Sequence, residues 1–450
     1  MSMARRRSPV CFPLLALAVI GLAGCVAVGP PVLSKAGLST PLREVLPNGM
    51  RLIIQQHRTS DVVALHLWIG VGGRDEAPNE RGFSHFVEHM LFKGTDSRAP
   101  GFVDREVESV GGRTNAGTSW DYTFYYILLP AAHGNRGIEV LADMAFNSRF
   151  APAEVGRERE VISEEVRLGE DNPRSFLVRR LYELAFRGHS YGFPVLGDPR
   201  AMRAATPETL RAYYKRHYVP ENMTLVVIGA VDPAEIRQAA ERWFGPTHAQ
   251  GYGRGPVPAP PRLDDGRREV RQRPERQASL AVGWAGPRLG DSDMFAVDLL
   301  AHILGGSRTS RLTQALRERA RIVSSIRAGY SALAGGGLLS VTAQLESGDL
   351  DAVEAAILAE VTRVREEGVT EAERQRAITA AEAQHAFSIE TAEGRAYAYG
   401  LAETLWTLEG ELSYLDRLKT VTREEIQAAA RRYLSAAHAR LTLVPTDGGR

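Results

Sequence analysis

The sequence predicts an α+β protein of two homologous domains, each a mainly antiparallel sheet covered by helices. Three observations carry this expectation. A chain of 450 residues exceeds one ordinary hydrophobic core, so two domains of about 200 residues are the default. From Gly245 to about Arg268 the chain sets Pro246, Pro256, Pro258, Pro260 and Pro261 among several glycines, the composition of a linker. The stretches on either side of it repeat. Leu299-Leu300-Ala301-His302-Ile303-Leu304 follows Phe86-Val87-Glu88-His89-Met90-Leu91 at an offset of 213, and Thr422 through Leu443 follows Thr206 through Val227 at 216. The expected organisation is 1–25 as a leader, 26–40 as a tether, and 41–244 and 269–450 as the domains, joined by 245–268.

In the leader, Arg5-Arg6-Arg7 is followed by an apolar run, Val10 to Ala23, too short to span a bilayer comfortably. Leu22-Ala23-Gly24-Cys25 resembles a bacterial lipoprotein signal box, cut before a cysteine that then carries lipid. An ordinary secretory signal or an uncleaved anchor is the alternative. The resemblance implies an exported lipoprotein facing the periplasm and held to the membrane through a lipid on Cys25. Val26 in place of Asp favours the outer membrane, by resemblance to enterobacterial sorting. The two cysteines, Cys11 and Cys25, both lie in the leader, so the mature chain would have no disulfide. The 55 basic and 54 acidic residues nearly cancel, and no long basic run occurs beyond the N-terminus. Nothing points to nucleic acid. A hydrophobic content of 44% fits a folded, soluble body.

The first domain then reads in order. Glu44 to Ile54 is strand, Asn48-Gly49 turn, strand. Val62 to Val71 is a further strand, and a helix ends near Phe92 with Gly94 as its stop. Gly111-Gly112 leads through Thr118 into the β-prone run Tyr122 to Leu128. A helix spans Gly137 to Asn147, and Pro152 starts a charged one carrying Val155, Ile162 and Val166. Helices at 176–186, 208–218 and 233–244 and a buried strand at 223–228 complete the domain.

The helix before Gly94 carries the chemistry, in Gly82-Phe83-Ser84-His85-Phe86-Val87-Glu88-His89-Met90. His85 and His89, four apart, project from one face, with Glu88 beside them. Two imidazoles can hold a zinc ion while an adjacent carboxylate handles the proton of its water. The order His-x-x-Glu-His is the inverted zinc-protease motif. In the second half, Asp298 stands where His85 would be and Ala301 where Glu88 would be. His302 alone reads as a packed histidine, so one zinc per chain is expected, in the first half. A catalytic zinc takes three protein ligands and leaves a position open. The helix after Pro152 offers Glu154, Glu158, Glu160, Glu164 and Glu165. Glu158 and Glu165 are two turns apart on one face with Ile162, which narrows the choice to that face without deciding it.

Gly82 to Thr95, Gly111-Gly112 with Asn115-Ala116, Glu158 to Glu165, and Tyr218-Val219-Pro220-Glu221-Asn222-Met223 resemble the pitrilysin/insulinase family of zinc peptidases. The branch is similar to short bacterial members and mitochondrial processing peptidases, and the resemblance runs from Arg43 to about Leu443. It implies the processing-peptidase-like metallohydrolase fold and zinc-dependent hydrolysis of peptides or unfolded polypeptides, with Glu88 as general base. It implies Glu165, 76 residues beyond His89, as third ligand, and Glu158 as a residue orienting the ligands. It also implies that Asn115 and Ala116 belong to a strand edge that holds substrate as an added strand.

One departure matters. Self-sufficient members resemble one another in an arginine and, seven residues on, a tyrosine that contact substrate. Here Arg317 is present, but Ser324 stands at the tyrosine position and Ala320-Arg321 replaces Arg-Gly. Tyr330 lies six residues further on. The expectation is the zinc-bearing chain of a heterodimer whose homologous partner supplies the Arg/Tyr pair, or otherwise a homodimer. A non-catalytic structural or assembly subunit that keeps the fold is the alternative function.

Overall fold

The structure is a computed structural model, and it describes residues 38–446 except 262, 264, 347 and 348. The leader, Cys25 and nearly all of the tether lie outside these residues.

The Asn-Gly hairpin forms as expected. Strands β1 (Leu42–Val45) and β2 (Arg51–Gln56) pair antiparallel around it, and Gly49 takes a positive φ of 86° that favours glycine. Strands β3 (Val62–Ile69), β4 (Arg113–Thr118), β5 (Thr123–Pro130) and β6 (Met223–Gly229) complete a six-stranded sheet in the order β1-β2-β6-β3-β5-β4. Only β2 and β6 run parallel.

The second half repeats this plan without the first strand. Strands β7 (Arg267–Arg273), β8 (Ala278–Gly286), β9 (Ser325–Ala332), β10 (Gly337–Leu345) and β11 (Ala439–Pro445) lie in the order β7-β11-β8-β10-β9. Again the one parallel pair, β7 with β11, joins the first strand to the last. Two sheets of matching order make the repeat a property of the fold.

On one face of the first sheet, alternate side chains such as Leu65, Leu67 and Ile127 pack with Phe86, Val87 and Met90 of the helix Phe83–Met90 and with the helices Gly134–Asn147 and Pro233–Phe244. The other face carries Trp68, Val226 and Ile228, and the helix that covers it, Ala392–Leu405, comes from the second half. The loan is returned. Leu177, Leu181 and Leu184 of the first half's helix Pro173–Ala185 pack with Ala281, Leu338 and Leu441 of the second sheet. Each sheet is thus sealed on one face by the other half, so neither core is complete alone. A bidentate ion pair from Arg43 to the buried Glu403, at 3.0 and 2.7 Å, ties the edge strand β1 to the borrowed helix.

The borrowed helix sits close because Gly400 has no side chain. A Cβ there would lie 1.9 Å from Trp68 Nε1. Gly400→Ala is expected to destabilise the fold by roughly 1–3 kcal/mol through overpacking. A urea midpoint unchanged from the parent chain would contradict that contact.

The stretch around 310–319 is bound to the helix Glu371–Ser388 by Arg311, whose guanidinium donates to both Glu373 oxygens at 2.7 and 2.8 Å. Glu373 also closes the capping box with Thr370. Arg311 above all holds the Glu373 pKa down to about 2. An unfolded Glu titrates near 4.3, so this pair stabilises the fold above that pH and the stabilisation fades as pH falls towards 2. The stability difference between the parent chain and Glu373→Gln should therefore shrink as pH falls from 5 towards 2 in chemical unfolding. A difference that did not change with pH would refute the pairing.

Candidate metal centre

The motif helix starts at Gly82, in the left-handed region with φ 97°. A Cβ there would lie 2.7 Å from Gly197 Cα and 2.6 Å from Met202 Sδ. Glycine is required on both counts. Orphan N–H groups at the helix start are taken by Glu76, which accepts from Gly82 and Ser84 at 2.8 Å each. Burial pushes Glu76 up to about 7 while these two bonds pull the other way. Ser84 Oγ and Tyr213 Oη are 2.7 Å apart, a second anchor.

With Phe83, Phe86, Val87 and Met90 committed to the core, the remaining face turns His85, Glu88 and His89 towards the helix Pro152–Asp171. The two imidazole rings lie 4.6 Å apart, edge to face. Their Nε2 atoms each stand 3.6 Å from the same oxygen, Glu165 Oε2. Glu158 is buried, at 4% exposure, and its Oε2 lies 3.0 Å from His89 Nδ1 while Oε1 pairs with Lys93 at 2.9 Å. Glu164 points away and pairs with Arg167. Among the described residues, His85, His89 and Glu165 are the one trio of potential donors whose ligand atoms all lie within 4.8 Å of one another.

The trio fits a zinc ion. Donors bound at ~2.1 Å to a tetrahedral ion stand roughly 3.4 Å apart, close to the observed 3.6 Å and too far for hydrogen bonds. Two imidazoles and one carboxylate are the donor set of an open zinc site. Burial, with His89 adding to it, pushes His85 down to about 3, so this imidazole is a neutral donor at pH 7.

Glu88 stands beside the trio, its pKa raised by burial, and Thr118 Oγ1 donates to its Oε2 at 2.5 Å. Thr118 ends β4, the free edge of the first sheet. Asn115 and Ala116 lie on that strand, opposite Tyr126 and Tyr125 of β5. The other second-half candidates are not drawn to this trio. Arg317 is exposed on a π-helical stretch, Thr313–Arg319, and its side chain makes no hydrogen bond or ion pair among the described residues. Ser324 Oγ donates to Gln344 O, and Tyr330 Oη is spent on Pro287 O at 2.7 Å. Asp298 accepts from Tyr414.

Sequence reasoning missed Thr118, Glu76 and Lys93. Lys93 lies four residues beyond His89, just past the end of the motif helix, a spacing that sequence alone could have marked. Thr118 follows from strand alternation with Ala116, whereas Glu76 reaches the helix through a loop that no periodicity marks.

The duplicated sheets and the convergent imidazole and carboxylate donors make this a two-sheet protein with one candidate metal centre among the described residues. Residues 51–199 match the family described as insulinase (peptidase family M16), and residues 204–381 match the peptidase M16 inactive domain. The chain is 31% identical over 335 residues to an uncharacterized zinc protease of Rickettsia felis, covering 74% of this chain and 80% of that one. It is 29% identical over 407 residues to the uncharacterized zinc protease YmxG of Bacillus subtilis, covering 90% and 98%. A protease from Helicobacter pylori superposes with a TM-score of 0.85 at 22% identity, covering 91% of this chain and all of that one. The first half of the periplasmic protease PqqL from Escherichia coli superposes at 0.75 and 21%, covering 91% and 93%. The chain belongs to the insulinase family of peptidases, M16.

Because Glu76 bonds two backbone donors at the motif helix start, Glu76→Ala is expected to cost about 1–3 kcal/mol of stability. Guanidinium unfolding measures it, and a shift below a few tenths would show that the cap is dispensable.

Proposed function

We propose that this protein is a zinc metallo-endopeptidase acting on peptides or unfolded polypeptides. In this reading His85, His89 and Glu165 hold one zinc per chain and Glu88 is the general base. The observation that carries it is the convergence of two imidazole Nε2 atoms on one Glu165 oxygen, with the half-buried Glu88 alongside. A structural subunit has no need of a carboxylate poised there.

Bound zinc supplies Lewis acidity, lowering the pKa of a bound water to about 7 and polarising the scissile carbonyl. The residues do the rest. Glu158 accepts from His89 Nδ1, which leaves the Nε2 lone pair facing Glu165 and fixes the ring. Glu88 takes the proton of the attacking water and later delivers it to the leaving amine. Thr118 holds one Glu88 oxygen, leaving the other for this transfer. A peptide added to the free edge of β4, along Asn115 and Ala116, would pass beside Glu88.

Several further readings belong to the same proposal. Arg317 would contact substrate from the second half, but no tyrosine stands seven residues beyond it and Tyr330 is tied to Pro287. A homologous partner chain supplying the Arg/Tyr pair would complete the site. Cys25 would carry the lipid of a periplasm-facing protein, most simply on the outer membrane; Cys25→Ser should then release the chain into the soluble fraction, and unchanged membrane attachment would defeat the lipid reading.

The testing experiment is an assay on an unfolded fluorogenic peptide, with the chain alone and with proteins that copurify with it. Chelator should abolish cleavage. Glu88→Gln should retain zinc while losing about 10²–10⁴-fold in turnover. Retained turnover would rule out Glu88 as base, and full activity of the chain alone would rule out the need for a partner.

A further inference from the structure

The helix Ala392–Leu405, besides covering the first sheet, walls a cavity of about 400 Å³, within the range of small-molecule sites. Met294, Tyr397, Leu401, Trp406 and Tyr414 give it largely aromatic and aliphatic walls, and Glu411 sets a carboxylate among them. The Glu411 side chain is only 20% exposed, and among the described residues no hydrogen bond reaches its carboxylate. His385 Nδ1 stands 3.8 Å away, beyond hydrogen-bond reach, and burial followed by the field of Arg395 lowers its pKa. Burial with nothing to offset it pushes Glu411 up to about 7.

The aromatic walls are held in place. Trp406 is gripped between Gly290 and Gly410, where a Cβ would lie 3.0 and 2.5 Å from its ring. Tyr414 is fixed by donating to Asp298, and its ring lies 5.6 Å from Phe295. A carboxylate without a hydrogen-bond partner among apolar walls is satisfied by a cation, which aromatic rings also attract. A hard metal ion is a poor occupant, because it needs several oxygen ligands, and beside Glu411 the lining offers only the hydroxyls of Ser388, Tyr397 and Tyr414, which are bonded elsewhere. An anion would be repelled, and a neutral apolar molecule would leave the carboxylate unpaired.

The geometry points to an organic-cation site: the cavity takes an ammonium or guanidinium group on a short apolar stem. The stem lies among Met294 and Leu401, and the head meets Glu411 and the aromatic walls. This chemistry belongs equally to a free amine and to a lysine or arginine side chain of a polypeptide. The assignment stands whether or not the chain is a peptidase.

Isothermal titration of the full chain with 3-phenylpropylammonium and with its neutral counterpart 3-phenylpropanol tests it. The ammonium should bind roughly tenfold or more tightly than the alcohol. Glu411→Gln should erase that preference while alcohol binding persists; if this variant does not fold, the comparison in the parent chain decides. Two peptides differing only by arginine or citrulline then identify the source. Displacement of the ammonium by the arginine peptide alone assigns the site to a basic side chain, and displacement by neither assigns it to a free amine. Equal affinity for ammonium and alcohol, no binding of either at millimolar concentration, or a preference that survives in Glu411→Gln would overturn the site.

Discussion

The angle at which the motif helix leaves Gly82 governs everything else at the candidate metal centre. The left-handed turn at Gly82 and the grip of Glu76 on two helix-start N–H groups fix where the helix begins. Burial of Phe86, Val87 and Met90 against the first sheet fixes its rotation. Position and rotation together leave His85 and His89 one direction in which to point, and Glu165 lies in that direction. A helix turned by one residue would put His85 and His89 in the places of Phe86 and Met90, in the core. The apolar face therefore positions the candidate donors.

The second half keeps the order of the sheet without the donors of the motif helix. The helix Met294–Gly305 occupies the place of the motif helix, yet nearly all its residues are buried. Asp298, at the position of His85, is half-buried and taken up by Tyr414, and Ala301 has no proton-handling group. The second half instead contributes a sealing helix, accepts one in return, and encloses the cavity around Glu411. Exchange of helices explains why two homologous halves need not separate: each would expose Trp68 or Leu338 and its neighbours to water.

Much of this was legible in the residues. The Asn-Gly hairpin, the repeat and the His-x-x-Glu-His face follow from turn chemistry and periodicity, which are local. The acidic helix shows where local information ends. Glu158 and Glu165 share a face, and both reach His89, one at Nδ1 and the other at Nε2. Spacing alone could not say which nitrogen each would meet; the family resemblance distinguished them. The destination of the helix Pro173–Ala185 was likewise hidden, since Leu177, Leu181 and Leu184 announce an apolar stripe without naming the sheet it covers. Strand alternation puts Thr118 on the face of Ala116, but its bond to Glu88 and the reach of Glu76 through a loop depend on tertiary approach, which no sequence period encodes.

The most direct test of the account is the zinc content of the purified chain and of Glu165→Ala, read by competition with a chromophoric chelator. The account predicts one tightly held zinc per parent chain and a large loss of affinity in Glu165→Ala, with the fold intact by circular dichroism. A parent chain that binds no zinc, or a Glu165→Ala chain that binds it as tightly, would contradict the centre described here.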